Sequence, residues 1–188
     1  MLTAGDTLAH FKILSKLGEG GMGEVFLAED TKLNRQVALK TLRDDYFDNE
    51  DRRERFEREA KTAAQIQHAN IMAIYDIGVG KSPDGKRDIH YIVMEYIRGK
   101  HLNEFLVGKP EDVGKALRIA EKIASGLAAA HKLNIVHRDI KPENVIVDEH
   151  EEPKILDFGL AKPMSPLQNA EPAASPSGAT VKADLTKV

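Results

Sequence analysis

A run of polar and charged residues between positions 137 and 144 combines the groups that phosphoryl transfer needs. It reads His137-Arg138-Asp139-Ile140-Lys141-Pro142-Glu143-Asn144. The Asp139 carboxylate can orient and deprotonate an attacking hydroxyl, and the Lys141 ammonium can neutralise charge on a transferring phosphate. The Asn144 amide oxygen can bind a metal ion. The alternative is a polar surface loop, but so many specified residue types in one order favour a catalytic loop.

A second acidic site follows at Asp157-Phe158-Gly159, 18 residues after Asp139. Carboxylate and phosphate oxygens are the ligands that Mg²⁺ prefers, so Asp157 is a candidate metal ligand together with Asn144. We expect Phe158 to be a packing residue and Gly159 a backbone pivot. The tripeptide by itself is common, and its place after a turn and a short predicted strand makes it informative.

The glycine cluster at residues 18–23, Gly18-Glu19-Gly20-Gly21-Met22-Gly23, predicts a backbone that approaches phosphate groups closely. Three interpretations are open: a flexible hairpin turn, the start of a dinucleotide-binding helix, or a phosphate-covering loop between two strands. The residues after the cluster continue as a strand, which disfavours the helix. The spacing of Gly18, Gly20, Gly23 and Val25 fits the phosphate-covering loop.

Lys40 ends an apolar run and is the candidate cation for these phosphates. Side chains alternate along a strand, so Val37 and Leu39 should face one side of the sheet. Ala38 and Lys40 should then face the other side, under the glycine cluster. A buried ammonium needs an anionic partner, and Glu59 on the next predicted helix is the expected one. The alternatives are a solvated surface lysine and a Glu59 that is one charge among many on a polar helix.

The surrounding sequence predicts the elements that must position these residues. In chain order they are three strands over 11–42, a helix over 48–67, strands over 71–77 and 89–94, a long helix over 111–132, and short strands over 145–147 and 155–156. Residues 163–188 are rich in proline and alanine and contain no aromatic residue, which predicts a mobile loop or tail.

Composition excludes several functional classes. The 27 basic and 30 acidic residues of the 188-residue chain give a net charge of −3, which argues against nucleic-acid binding by bulk charge. The chain has no cysteine, so disulfides, thiol catalysis and cysteine-bound zinc are excluded. Because no stretch approaches the ~18 apolar residues of a membrane span and the N-terminus lacks a signal-peptide pattern, we expect a cytoplasmic location.

Taken in order, these motifs resemble the eukaryotic-type (Hanks-type) serine/threonine protein kinase catalytic domain over about residues 8–162. Lys141, two residues after Asp139, is similar to the serine/threonine subgroup, and residues 126–131 resemble bacterial members. The resemblance implies an α+β, bilobal fold. Its N-lobe would be an ATP-binding antiparallel β-sheet with one helix, and its C-lobe would be mainly helical. The implied boundaries are 8–97 for the N-lobe, 98–162 for a partial C-lobe, and 163–188 for a mobile, incomplete activation segment.

The resemblance also implies the activity, which is transfer of the ATP γ-phosphate to Ser/Thr hydroxyls of proteins, with ATP and Mg²⁺ as cofactors. Lys40 would hold the α/β-phosphates and pair with Glu59, while Asp139 would receive the substrate hydroxyl. Asn144 and Asp157 would hold Mg²⁺, and the glycine cluster would cover ATP.

The adenine site is implied by the same resemblance. The backbone of Glu95-Tyr96-Ile97 resembles the hinge that hydrogen-bonds adenine, and Met94 would lie at the back of the pocket. The residues that would sandwich the ring are Val25, Ala38 and Ile146. A packed column linking the lobes is implied for Ala63, Ile74, His137 and Phe158. Each of the apolar residues also has a simple core interpretation.

Arg138 suggests regulation, because in this family an arginine beside the catalytic aspartate often pairs with a phosphorylated loop residue. Arg55 and Lys162 are placed to complete a basic pocket, and the candidate acceptors are Ser175, Ser177, Thr180 and Thr186. The alternative is that these residues serve only solubility.

No Ala-Pro-Glu motif, which ends the activation segment in the family, follows Gly159. We therefore expect a chain truncated in that segment. Three hypotheses follow: a fragment of a serine/threonine kinase, a stand-alone ATP-binding regulatory module without kinase activity, or a gene remnant, which the intact motifs disfavour. We expect weak or absent protein phosphorylation by residues 1–188 alone. The sequence leaves open the protein substrate, the oligomeric state, and any sensor domain or membrane tether in a longer product.

Overall fold

The computed structural model describes residues 2–20, 23–42, 50–105 and 113–158. A six-stranded antiparallel sheet, called the large sheet, occupies the first half of the chain, with strand order β1-β2-β3-β4-β6-β5. Its strands are β1 Thr7–Leu8, β2 Phe11–Gly20, β3 Gly23–Asp30, β4 Arg35–Thr41, β5 Ile74–Lys81 and β6 Asp88–Glu95. Helix α1, Glu50–Ala63, connects β4 to β5 and contacts β5.

The second half contains a three-stranded antiparallel sheet, called the small sheet, in the order β7-β8-β9. Its elements are β7 Gly99–His101, α2 Leu102–Phe105, α3 Val113–Lys132, a 3₁₀ turn Pro142–Asn144, β8 Val145–Asp148 and β9 Pro153–Ile155. Helix α3 packs on β9, where Gly126 lets the helix approach: a Cβ at this position would lie 3.1 Å from the Ile155 side chain. The two halves form the predicted bilobal α+β fold.

Strand β4 separates two hydrophobic clusters, as its alternation predicts. Val37 and Leu39 are fully buried with Phe11 and Phe26 in a cluster on one face of the large sheet. Ala38 packs on the other face, in a cluster with Leu42, Ala60, Ile92 and Met94. Because the second cluster includes a residue of α1, the helix covers the same face of the sheet that carries Ala38.

Residues 70–73 tie the two halves together, so this segment is called the link. Ile71 forms a parallel bridge with Ile155 of β9. The Met72 N–H donates to the Ile155 carbonyl at 3.0 Å, and the Ile155 N–H donates to the Asn70 carbonyl at 2.9 Å. The Asn70 side-chain amide donates to the Pro153 carbonyl at 2.8 Å. These bonds fix β9 against the connection between α1 and β5.

The predicted column between the lobes is confirmed. Ala63, Ile74 and Phe158 belong to one hydrophobic cluster beside α3. The His137 ring packs edge-on against Phe158, with ring centroids 4.8 Å apart. This column crosses from helix α1 to the segment after β9.

The element boundaries differ from the prediction in several places. The predicted helix over 48–67 is Glu50–Ala63, and the segment after it turns back through hydrogen bonds such as Ile66 N–H to Ala63 O. Strands β1 and β7 and helix α2 were not predicted, because two to four residues are too few to show a period. Among the helices of the described ranges, none combines the length and apolarity required to cross a membrane.

Several predictions lie outside the described residues. They concern Gly159, Lys162, the side chain of Arg55 and all of residues 163–188, including the candidate phosphorylation sites. The lobe boundaries at 97 and 162 stay predictions.

Candidate active site

A cavity of about 530 Å³ lies between the large and small sheets. Its volume falls in the ~300–1,000 Å³ range of small-molecule sites. Every residue predicted to contact the nucleotide lines it: Gly18, Gly20, Gly23, Val25, Ala38, Lys40, Met94, Glu95, Ile97 and Ile146. The two predicted metal ligands, Asn144 and Asp157, line it as well. Residues that the sequence reasoning missed are Leu17, Met72, Gly99, His101, Glu143 and Leu156.

In the part of the glycine cluster that the structure describes, Gly18 and Gly20 lie on β2 and Gly23 lies on β3, and these glycines serve two purposes. Gly23 has a φ of +151°, and a Cβ there would lie 1.8 Å from the Thr41 carbonyl oxygen, so only glycine fits. At Gly18 and Gly20, a Cβ would meet no described atom within 4 Å. These two glycines therefore leave open space over the cavity that a ligand can use.

Lys40 is buried on β4 and directs its ammonium to Asp157. The Nζ–Oδ2 distance is 2.8 Å, with 9% of the Lys40 side chain and 32% of the Asp157 side chain exposed. Glu59 lies on α1, but its side chain is outside the described residues. The Lys40–Glu59 pair therefore stays a prediction, and the partner of Lys40 within the described residues is Asp157.

Asp157 is held in an unusual backbone conformation. Its φ is +48°, in the left-handed region that residues with a Cβ seldom adopt. Two backbone hydrogen bonds of the preceding residue, Leu156, hold Asp157 in place. The Leu156 N–H donates to the Asn144 carbonyl at 2.9 Å, and the Leu156 carbonyl accepts from His137 Nε2 at 2.7 Å. The carboxylate is thus positioned by the segment that carries Asn144 and His137.

His137 also orients Asp139. The Asp139 N–H donates to His137 Nδ1 at 3.3 Å. Since Nε2 donates to the Leu156 carbonyl and Nδ1 accepts from a backbone N–H, the ring is used as a neutral imidazole with its proton on Nε2. His137, 3% exposed, thereby joins the catalytic loop to the Asp157 segment.

The Asp139 carboxylate contacts Lys141 and Asn144, two other residues of the predicted catalytic loop. The Lys141 ammonium lies 3.2 Å from Asp139 Oδ2. The Asn144 amide nitrogen donates to the Asp139 carbonyl at 2.8 Å and to its Oδ2 at 3.2 Å. Because these bonds use the amide nitrogen, the Asn144 oxygen Oδ1 is the atom that can bind a cation. Neither Asp139 nor Lys141 lines the cavity itself.

The predicted hinge, residues 95–97, lines the cavity at the end of β6. The Glu95 carboxylate binds an ammonium that the sequence reasoning did not single out: Lys154 Nζ lies 2.7 Å from Oε1 and 2.8 Å from Oε2. The Ala73 N–H also donates to Oε2 at 3.3 Å. The only signal in the sequence was a lysine between Pro153 and Ile155, both of which are buried.

The donors fit a magnesium ion that is shared with a ligand. Within the described ranges, no group of three or more His, Asp or Glu side chains could hold a metal on its own. Asn144 Oδ1 and the Asp157 carboxylate are hard oxygen donors in one cavity. Mg²⁺ is usually held by one or two carboxylates together with waters and substrate phosphates, so a site with few protein ligands suits it.

A large antiparallel sheet with one helix, a small sheet with a long helix, and a cleft between them define the bilobal protein-kinase-like fold. A family model described as "Protein kinase domain" matches residues 11–178. The chain therefore belongs to the protein kinase domain family.

Relatives and solved structures agree with this assignment. The chain is 45% identical over 157 residues to serine/threonine-protein kinase PrkC of Bacillus subtilis, and 39% identical over 157 residues to PknA of Corynebacterium glutamicum. These matches cover 83% and 82% of the chain, but 23% and 33% of the relatives. The crystal structure of the Mycobacterium tuberculosis PknI kinase domain is similar with a TM-score of 0.70 and 30% identity, over 86% of this chain and 64% of that one. The chain thus spans about a quarter to a third of these curated relatives.

Proposed function

We propose that this chain carries the ATP-binding and phosphate-transferring site of a serine/threonine protein kinase. The observation that carries the proposal is the cavity in which the glycine cluster, Lys40, Asn144 and Asp157 converge. Its reaction would transfer the ATP γ-phosphate to a Ser or Thr hydroxyl of a protein. A cytoplasmic location, where ATP and Mg²⁺ are available, belongs to the same proposal.

Each polar side chain has a task in that reaction. The hydroxyl oxygen bonds to the γ-phosphorus, the bond between this phosphorus and the oxygen of the ADP leaving group breaks, and the hydroxyl proton passes to the Asp139 carboxylate. The Lys141 ammonium, 3.2 Å from Asp139 Oδ2, would neutralise charge on the transferring phosphate. Asn144 donates to the same carboxylate and orients it.

Lys40, Asn144 and Asp157 would hold the phosphates and the metal. Mg²⁺, held by Asn144 and Asp157 together with the phosphates, would neutralise charge that develops on the phosphate oxygens. Lys40 would bind the α/β-phosphates and pair with Glu59. In this proposal Lys40 exchanges Asp157, its partner at 2.8 Å, for the phosphates and Glu59.

The adenine would lie between Val25 and Ala38 on one side and Ile146 on the other, with Met94 at the back. All four line the cavity. Backbone groups of the hinge, residues 95–97, would supply the hydrogen bonds that orient the base. An apolar slot with a few polar backbone groups is the usual design of a cofactor site.

The test measures phosphate transfer from radiolabelled ATP to Ser or Thr residues of a protein. The enzyme in this assay is the longest natural polypeptide that contains these residues. Asp139→Asn should lower the transfer rate by ~10²–10⁴-fold, because it removes the general base. Mg-ATP should still raise the melting temperature of this variant, because the cavity keeps its nucleotide-contacting residues.

Asp88→Asn is the matched control, since Asp88 pairs with Lys81 on an exposed hairpin. It should leave both the transfer rate and the melting-temperature shift unchanged. Full transfer by Asp139→Asn would contradict the catalytic assignment. Mg-ATP binding without transfer by the unmutated protein would favour the regulatory-module alternative.

A further inference from the structure

Lys154 lies on β9 of the small sheet and pairs with Glu95 of the large sheet. It has no task in the proposed reaction. Only 20% of its side chain and 24% of the Glu95 side chain are exposed, and the ammonium bonds to both carboxylate oxygens. A pair with this degree of burial is screened by water less than a surface pair. Its two members belong to different sheets.

The register of the small sheet places Lys154 in a row with residues of the cavity. His101 is directly opposite Ile146, and Ile146 is directly opposite Lys154. Residues directly opposite each other have side chains on the same face, so the three form one row. His101 and Ile146 line the cavity. Lys154, at the end of the row, reaches past the cavity to Glu95.

Glu95 is the first residue of the hinge, and it is held from two directions. Its N–H donates to the Ala73 carbonyl at 2.9 Å, and its carboxylate accepts from the Ala73 N–H. The next link residue, Met72, donates to the Ile155 carbonyl. The chain of contacts therefore closes on itself: hinge, link, β9, Lys154 and back to the hinge.

The same closed network bears on Asp157, which lies three residues after Lys154. Moving Lys154 along β9 would move Leu156 and Asp157, both of which line the cavity. The ion pair consequently couples the position of the hinge backbone to that of the carboxylate proposed to bind magnesium.

We propose that Lys154 is a positioning residue for nucleotide binding: its ammonium holds Glu95 so that the hinge backbone and Asp157 present one nucleotide-sized gap. This inference rests on the proposed function. Without the ammonium, a largely buried carboxylate loses its counter-charge and the hinge can leave the competent position. The apparent affinity for the nucleotide then falls in proportion to the fraction of molecules whose hinge remains in the binding position.

The experiment measures dissociation constants of the chain for Mg-ATP and for magnesium tripolyphosphate, which lacks the base. Lys154→Met should raise the dissociation constant for Mg-ATP about five- to tenfold, the effect of a partly buried ion pair. Binding of tripolyphosphate should not change, because that ligand does not reach the hinge. Lys154→Arg should restore the Mg-ATP affinity, since a guanidinium can bind both carboxylate oxygens.

Lys122→Met is the matched control, because Lys122 also pairs with a carboxylate, that of Glu152, but lies away from the cavity. It should leave both dissociation constants unchanged. Should Lys154→Met fail to fold, Lys154→Gln removes the charge while keeping a polar head group, and the same outcomes apply.

An unchanged Mg-ATP affinity in the folded, charge-free variant would overturn the inference. An equal loss for both ligands would overturn it too, because that indicates general loosening of the fold. Failure of the unmutated chain to bind Mg-ATP at all would overturn the proposed function, and this inference with it.

Discussion

Two ion pairs join the large sheet to the segment 153–157, and they have opposite polarity. In the first, β4 supplies the cation Lys40 and the segment after β9 supplies the anion Asp157, at 2.8 Å. In the second, β6 supplies the anion Glu95 and β9 supplies the cation Lys154, at 2.7 Å. The distances are alike, so distance alone does not distinguish what the two pairs do.

Their surroundings do distinguish them. Both members of the Lys40–Asp157 pair line the cavity, whereas Lys154 does not. The first pair consists of groups proposed to hold phosphate and metal, so we expect it to separate when the ligand binds. The second pair contacts backbone groups of the link and can stay closed throughout. We therefore expect Lys40 and Asp157 to exchange each other for ligand groups when a nucleotide binds. We expect the Glu95–Lys154 pair to remain intact.

Among variants of the ion pairs, the largest expected effect comes from Lys40→Met, which leaves the phosphates without their ammonium. The dissociation constant for Mg-ATP should rise about 10- to 100-fold, the usual worth of a hydrogen bond to a charged group. Adenosine, which has no phosphate, should bind as before. Competitive titration of the two ligands checks this. Lys40→Met should weaken the contacts to the phosphates, whereas Lys154→Met should weaken the contacts to the base. An equal loss of adenosine binding would show that Lys40 supports the fold rather than the phosphates.

The smallest expected effect comes from an exposed triad near the turn of the β2–β3 hairpin. Lys16 bonds to Glu19 at 2.7 Å and to Glu24 at 2.6 Å, and the two glutamates face each other across the hairpin. These bonds, that to Glu19 first, raise the pKa of Lys16 above its usual range. Because Lys16 is exposed, water screens the triad, and Lys16→Gln should leave the melting temperature unchanged. A clear drop in the melting temperature of Lys16→Gln would mean that exposure to water does not limit what this ion-pair network contributes to stability.

The sequence singled out Lys40, Asn144 and Asp157 as candidate site residues, and all three line the cavity. Their roles stay predictions. Strand alternation was enough to place Lys40 opposite the buried Val37 and Leu39. Residue types and their order singled out Asp139, Lys141 and Asn144, and in the structure the Lys141 ammonium and the Asn144 amide lie beside the Asp139 carboxylate. These relations are local, within one strand or one short loop, and local spacing is what a sequence displays directly.

The pair of Glu95 and Lys154 could not be predicted in the same way. Glu95 and Lys154 are 59 residues apart, and no spacing rule connects them. The two residues come together because a parallel bridge joins Ile71 to Ile155. No residue spacing along either segment predicts this bridge. Strand β7 was missed for a related reason: its three residues owe their extended form to pairing with β8.

The central claim is that the Lys40–Asp157 pair separates when Mg-ATP binds. Calorimetric titration of ATP with and without Mg²⁺, on the unmutated chain and on Asp157→Asn, tests that claim. Without Mg²⁺, Asp157→Asn should bind ATP more tightly, because the variant frees Lys40 and removes a negative charge near the phosphates. With Mg²⁺, it should bind more weakly, because the metal loses a carboxylate ligand. This reversal is the predicted result, and a variant that binds ATP more weakly under both conditions by the same factor would contradict it.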